Sequence, residues 1–201
     1  MRIIGLTGGI ACGKSTISLT LRELGAVIVD GDVLSRELTA DNGPALPAIR
    51  AAFGDEVFHP DGSLNRRGLG AIVFSCESAR EQLDAIMQPL LLNMIRAGIE
   101  DARSSGAAAC ILDMPLLYEK DLDRLCDRVW CAWIPRETQL ERLMARDGFT
   151  PEEAENRLRS QLPAEEKAAR ADVVIDTSGP MDYTKESVIS LYAKEAGNCA
   201  G

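Results

Sequence analysis

The chain has 201 residues, 46% of them apolar and 4% aromatic, with a net charge of −9 from 31 acidic and 22 basic side chains. That is enough aliphatic material for one compact domain with insertions, and the acidic balance argues against a general nucleic-acid binder, which needs a basic face. No apolar run approaches the ~20 residues that cross a bilayer. The expectations are therefore no nucleic-acid partner, no membrane contact and no obligate protein partner. Six cysteines, at 12, 76, 110, 126, 131 and 199, form no C-x-x-C pair. A zinc site or disulfide framework is not indicated, and a reducing cytoplasm fits best.

The first element is the apolar run RIIGL at 2–6. It reads as a buried strand and not a signal peptide, because a glycine loop interrupts it and no cleavage pattern follows. The loop, GGIACGKST at 8–16, contains Gly8-x-x-x-x-Gly13-Lys14-Ser15, the P-loop spacing. Glycines let the backbone curl so that successive N–H groups converge on phosphate oxygens. The helix predicted at 14–25 adds its unpaired N–H groups and positive dipole end. Lys14 then reaches the outer phosphates and the Ser15 hydroxyl ligates Mg²⁺. The ligand implied is a nucleoside triphosphate. Guanine recognition of the N-K-x-D type is missing, and the D-x-x-G at 176–179 follows the last strand, the wrong place for a GTPase switch. The chain is too short for a motor or helicase. Small-molecule kinases remain, which need an acceptor pocket and a lid that excludes water. Two readings of Cys12 stand. A helix N-terminus and a neighbouring lysine favour a reactive thiolate; a small side chain packed inertly beneath the loop is the preferred alternative.

A second apolar run, AVIV at 26–29, leads into VIVDGDVLSREL. Asp30 and Asp32 fall at its carboxyl end, expected beside the P-loop in the sheet, where open α/β sheets bind ligands. Phosphoryl transfer to an alcohol needs a carboxylate to take the hydroxyl proton, but an aspartate here also caps the helix that DVLSREL predicts. Both readings stand. The next eighty or so residues read mostly helical, with breaks at 41–44 and 59–63, and suggest a helical lobe inserted beside the sheet. Its long helix, 78–103, carries Leu83, Ile86, Met87, Leu90 and Leu91 at helical spacing.

Three more apolar runs follow: ACIL at 109–112, VWCAWI at 129–134 and VVI at 173–175. All five runs are continuous and not alternating, which predicts strands buried on both faces. A helix at 136–146 places Leu140, Leu143 and Met144 on one face and Arg142 and Arg146 on another. Taken by themselves those arginines read first as a solvated surface, because charged helix faces usually are. A second insertion at 147–171 opens with Thr150, Pro151 and Glu153, a helix-start signature. Strand and helix alternate, so the fold class is α/β: a three-layer P-loop core with a five-stranded parallel sheet.

The motifs IIGLTGGIACGKST, VIVDGDVLSREL, DGSLNRRGLGAIVF, DMPLLYE, QLERLMARDGFTPEEAENRLRSQLP and KAARADVVIDTSG, in this order over about 2–180, resemble the dephospho-CoA kinase family. The resemblance implies a core like that of nucleoside monophosphate kinases, a helical substrate lobe at about 31–105 and a lid at about 136–171. It implies ATP with Mg²⁺ as cofactors and dephospho-CoA as the small-molecule substrate, phosphorylated on its ribose 3′-hydroxyl. Gly8, Gly9, Ile10, Ala11, Cys12, Gly13, Lys14, Ser15 and Thr16 would hold the triphosphate. Asp32 is the implied base, with Asp30 supporting it or the metal; Arg36 and Arg66 lie on the substrate side. Asp113 either orders Mg²⁺ together with Ser15 or caps a helix before Pro115. Arg142 and Arg146 would approach the phosphates from the lid, Arg142 joining Lys14 and Asp32 in catalysis. The chain departs from the pattern at Ala11 and Cys12, usually Gly and Ser, at Gln88, usually His, and at Thr177, usually Asn. The single histidine, His59, sits in a turn-like HPDG and reads as surface. The rival readings are another P-loop kinase, of the nucleoside or shikimate type, and a regulatory NTPase.

Overall fold

The computed structural model describes residues 1–197, so Cys199 lies outside the described residues. The chain divides into two compact units, one formed by Met1–Val29 with the residues from Ile99 onward, the other by Asp30–Gly98.

The first unit is built on a five-stranded sheet: β1 (Arg2–Gly8), β2 (Val27–Asp30), β3 (Ala109–Asp113), β4 (Arg128–Trp133) and β5 (Val173–Asp176). Their order is β2-β3-β1-β4-β5. β1 runs parallel to β3, with Leu6 opposite Asp113, and parallel to β4, with Gly8 opposite Ala132. β5 runs parallel to β4. The α/β class and the five strands agree with the sequence reading. Two details do not. The second strand does not neighbour the P-loop strand, because β3 lies between them. The fifth strand is not buried on both faces: Val174 is 47% exposed. One cause accounts for both. β1 and β3 are buried along most or all of their length, as is the middle of β4, whereas β2 and β5 alternate or are half covered. The longer strands, of five to seven residues, take the centre of the parallel sheet and the two four-residue strands become its edges.

Helices α1 (Lys14–Glu23) and α9 (Met181–Gly197) cover the sheet in a core of Ile4, Leu6, Ile17, Leu21, Trp130, Ile175, Val188 and Tyr192. α9 was not foreseen, although Thr184, Val188 and Tyr192 are buried at a four-residue spacing. In the same unit α6 (Arg136–Asp147), α7 (Pro151–Arg159) and α8 (Ala164–Arg170) fall between β4 and β5. Leu140, Leu143 and Met144 face inward as their spacing predicts, packing with Ala154, Leu158 and the P-loop residues Ile10 and Ala11. Thr150 and Glu153 close a reciprocal capping box with Pro151 in the first turn of α7, as expected.

The second unit is helical: α2 (Gly31–Leu38), α3 (Leu46–Phe53), α4 (Arg66–Ser75) and most of α5 (Glu77–Ser104). Its core joins Leu38, Ile49, Phe53, Val57 and Leu69 to the expected stripe of Leu83, Ile86, Met87, Leu90 and Leu91. His59 is exposed in its turn. Among the described residues no helix is long and apolar enough to cross a membrane.

Candidate active site

β1 ends at Gly8, so close to β4 that a Cβ there would fall 2.7 Å from the Ala132 carbonyl. The chain then turns through residues 9–13. Gly13, at φ +73°, starts α1 with no side-chain cap, and the first turn carries no acid. The Thr16 N–H donates to the Gly13 carbonyl at 3.1 Å, and the first two N–H groups of α1, those of Lys14 and Ser15, keep their hydrogen-bonding capacity and the helix its positive end for an anion. Gln139 of α6, almost fully buried, donates a 2.7 Å hydrogen bond to the Ile10 carbonyl. The Thr177 hydroxyl donates to the Cys12 carbonyl at 2.7 Å. Both bonds fix carbonyls of the loop. Ala11 holds φ +62°, the left-handed region where the resemblance expects glycine.

Lys14 leaves the first turn of α1 and forms an ion pair with Asp113, the last residue of β3. Asp113 is 3% exposed. No helix follows it, so its helix-cap reading falls away: the segment beyond Met114 is a run of turns. Ser15, next to Lys14 in sequence, is exposed. Among the described residues no three acidic, histidine or cysteine side chains gather as a metal cage. A hydroxyl and one carboxylate match Mg²⁺, which is held by one or two protein oxygens plus substrate phosphates and water.

Arg142 donates to the Thr177 carbonyl at 3.0 Å and to the Ser178 carbonyl at 3.4 Å, at the exit of β5. Arg146 pairs with its neighbour Asp147 at 2.8 Å. The first unit thus gathers residues 8–16, Asp113 and Arg142 through direct contacts. Asp30, Asp32, Arg36 and Arg66 fall in the second unit. Here the cap reading is resolved in favour of Asp30: its carboxylate accepts from the backbone N–H of Asp32 at 2.9 Å and of Val33 at 3.1 Å. Asp32, exposed in the first turn of α2, is not the cap. Arg66 donates to the carbonyls of Arg36 and Thr39, closing the end of α2. Arg36 and Arg66 also line an open recess of about 430 Å³ with Val33, Glu37 and Ala40.

Residues 2–182 match the family model described as dephospho-CoA kinase. The chain belongs to the dephospho-CoA kinase family. It is 45% identical over 201 residues to a dephospho-CoA kinase of Symbiobacterium thermophilum, covering 100% of this chain and 84% of that one. A crystal structure from Thermus thermophilus superposes with a TM-score of 0.81 at 30% identity, covering 96% of this chain and 97% of the other. A dephospho-CoA kinase from Campylobacter jejuni gives a TM-score of 0.74 at 26% identity, with 98% of each chain covered. The family match selects the first of the readings that the sequence left open.

Three features of this dephospho-CoA kinase family member escaped the sequence reading. Gln139 and Lys167 are polar residues on helices that no local pattern marks as inward, yet they are 3% and 0% exposed. Thr177, noted only as a departure, binds the P-loop. Cys12 takes the inert course: it is 1% exposed, and burial pushes its thiol up to about 11. The lysine and helix end do not prevail, because the side chain turns into the core beneath the loop.

Proposed function

We propose that this chain transfers the γ-phosphate of ATP to the ribose 3′-hydroxyl of dephospho-CoA, giving coenzyme A and ADP. The observation that carries the reading is the family match over 2–182 on a chain whose P-loop opens an uncapped helix. Backbone N–H groups of residues 9–16 and the Lys14 ammonium bind the triphosphate. In the reaction the 3′-oxygen forms a bond to the γ-phosphorus as the bond from that phosphorus to the β–γ bridging oxygen breaks. Asp32, exposed and not used as a cap, takes the hydroxyl proton; Asp30 holds α2 in place beneath it. Ser15 and Asp113 would hold Mg²⁺, which when bound neutralises charge that builds on the phosphates. Lys14, already paired with a carboxylate, would share that charge field. Arg36 and Arg66 offer cationic groups in the recess of the second unit for the acceptor's phosphates. Arg142 braces the β5 exit beside the P-loop, and residues 136–171 act as the lid. Five described cysteines are unpaired, which supports a reducing compartment such as the cytoplasm.

The test is incubation of purified protein with ATP, Mg²⁺ and dephospho-CoA, read by mass spectrometry of the acceptor and by ADP release. Gain of one phosphate by dephospho-CoA, with ADP released only when acceptor is present, supports the proposal. Acceptor-independent ATP hydrolysis, or phosphorylation of a different alcohol alone, removes it.

A further inference from the structure

We propose that Lys167 is a positioning residue for phosphoryl transfer: from α8 it sets the exit of β3, and so places Asp113 against Lys14. This rests on the assignment of Lys14 and Asp113 to the phosphate and metal end of the site. Lys167 is wholly buried. Its ammonium donates to the Pro115 carbonyl at 2.6 Å and pairs with Glu119 at 2.8 Å. A buried ion pair is weak evidence for stability, since desolvation can exceed the attraction and an apolar side chain of equal volume often does as well. What a lysine does here that a methionine cannot is to aim donors at chosen oxygens.

Those oxygens belong to the segment that carries Asp113. The Met114 N–H donates to the Leu6 carbonyl of β1 at 2.9 Å. The Pro115 carbonyl accepts from Thr7 of β1 at 3.2 Å as well as from Lys167. Asp113 is therefore followed by two residues gripped from β1 on one side and from α8 on the other. The same Glu119 oxygen accepts from the Leu162 N–H at 3.0 Å, which ties the approach to α8 into the network. One turn earlier on α8, Ala164 lies under the P-loop: a Cβ built on Gly9 would stand 3.1 Å from its methyl. A single turn of α8 thus touches both segments whose ends meet in the Lys14–Asp113 pair. Outer-shell groups of this kind orient the groups that touch metal or substrate, and their loss costs about 10–100-fold in metal affinity or activity.

The experiment compares wild type with Lys167→Met and Thr7→Val. Lys167→Met keeps the volume and removes the charge. Thr7→Val leaves the Lys167–Glu119 pair intact and removes the second donor to the Pro115 carbonyl. A non-hydrolysable ATP analogue is titrated calorimetrically with Mg²⁺ and with EDTA; kcat, KM and melting temperature are measured in parallel. Lys167→Met is expected to bind the analogue as wild type does in EDTA, to lose about tenfold or more of the Mg²⁺-dependent tightening, and to lose kcat by a similar factor. Its KM for dephospho-CoA should stay within about twofold, and Thr7→Val should move the same way by less. A fall in melting temperature with the Mg²⁺ enhancement and kcat unchanged overturns the proposal. Should Lys167→Met not fold, an unchanged Mg²⁺ enhancement in Thr7→Val overturns it. Failure of the substrate assignment shows separately, as wild-type protein that leaves dephospho-CoA unphosphorylated while still binding the analogue in a Mg²⁺-dependent way.

Discussion

The Thr177 hydroxyl is hydrogen-bonded to the Cys12 carbonyl at 2.7 Å, a buried contact that joins the exit of the last strand to the middle of the P-loop. Gly13 passes directly over it: a Cβ there would lie 3.1 Å from the same hydroxyl. From α6, Arg142 holds the carbonyls of Thr177 and Ser178. Three segments far apart in sequence are pinned at Thr177, one through its side chain and one through its carbonyl. Thr177→Val keeps the shape and removes the donor, leaving a buried carbonyl unpaired at a cost of about 1–3 kcal/mol. Urea denaturation should show that loss, and the KM for ATP should rise several-fold, while Thr177→Ser stays near wild type on both. Wild-type stability and ATP affinity in the valine variant would make the bond dispensable.

Ala11 and Gly13 both hold positive φ, at +62° and +73°, yet they should respond oppositely to exchange. Ala11→Gly relieves roughly 1–2 kcal/mol of left-handed strain. Against that, it loosens the unfolded chain by about 0.4–1 kcal/mol and removes a methyl worth about 0.8 kcal/mol from the cluster with Leu140, Leu143 and Phe149. The terms cancel, so stability should change by less than about 1 kcal/mol and ATP binding should persist. Gly13→Ala adds strain and drives a methyl toward Thr177; it should abolish most nucleotide binding in calorimetry. Tight ATP binding by Gly13→Ala would mean that the loop tolerates a different curl.

The P-loop, the strand count and the inward face of α6 were legible because each is a local pattern: a fixed spacing, a continuous apolar run, a 3.6-residue period. Strand order was not legible. Which run sits beside which depends on how completely each is buried, and β3 displaced β2 from the position beside β1. The long-range contacts of the site were hidden for the same reason. Lys167 and Gln139 lie on helices rich in charged residues, and only the tertiary fold turns these two inward. The Asp30/Asp32 ambiguity was real in the sequence, since an aspartate suits both jobs; only the hydrogen bonds separate the two.

That separation gives a paired test. Asp30→Asn retains a good capping side chain and should leave stability and rate nearly unchanged, whereas Asp30→Ala should cost about 0.5–2 kcal/mol through loss of the cap. Asp32→Asn should leave ATP affinity and melting temperature in place and lower kcat by about 10²–10⁴-fold, the range for loss of a general base. Lys14→Ala should weaken nucleotide binding and rate together. A large kcat loss in Asp30→Asn with near-normal turnover in Asp32→Asn would exchange the two roles.

The cysteines make the last prediction, through the sign of their shifts. Burial pushes the thiols of Cys12 and Cys110 up to about 11, and those of Cys126 and Cys131 up to about 12. Cys76 goes the other way, lowered chiefly by its 3.2 Å contact with the Ser78 hydroxyl, and it is exposed. The thiolate is the nucleophile, so iodoacetamide at pH 7.5 should label Cys76 ahead of Cys12, Cys110, Cys126 and Cys131, as read by peptide mapping. Mild peroxide should not inactivate the enzyme through Cys12, with or without Mg-ATP. These four thiols, three buried and that of Cys126 half-buried, also link folding to pH. Their folded values lie above the ordinary 9.0, so above pH 9 the unfolded chain gives up these protons first. Their contribution is complete below pH 9 and drains away as pH climbs toward 11 and 12. Replacing Cys131 by alanine should therefore flatten the fall in melting temperature between pH 9 and 11 relative to wild type, even though it lowers the melting temperature at pH 7. Rapid labelling of Cys12 in the folded protein, or an alkaline slope identical in wild type and the Cys131→Ala variant, would show that burial does not hold these thiols neutral.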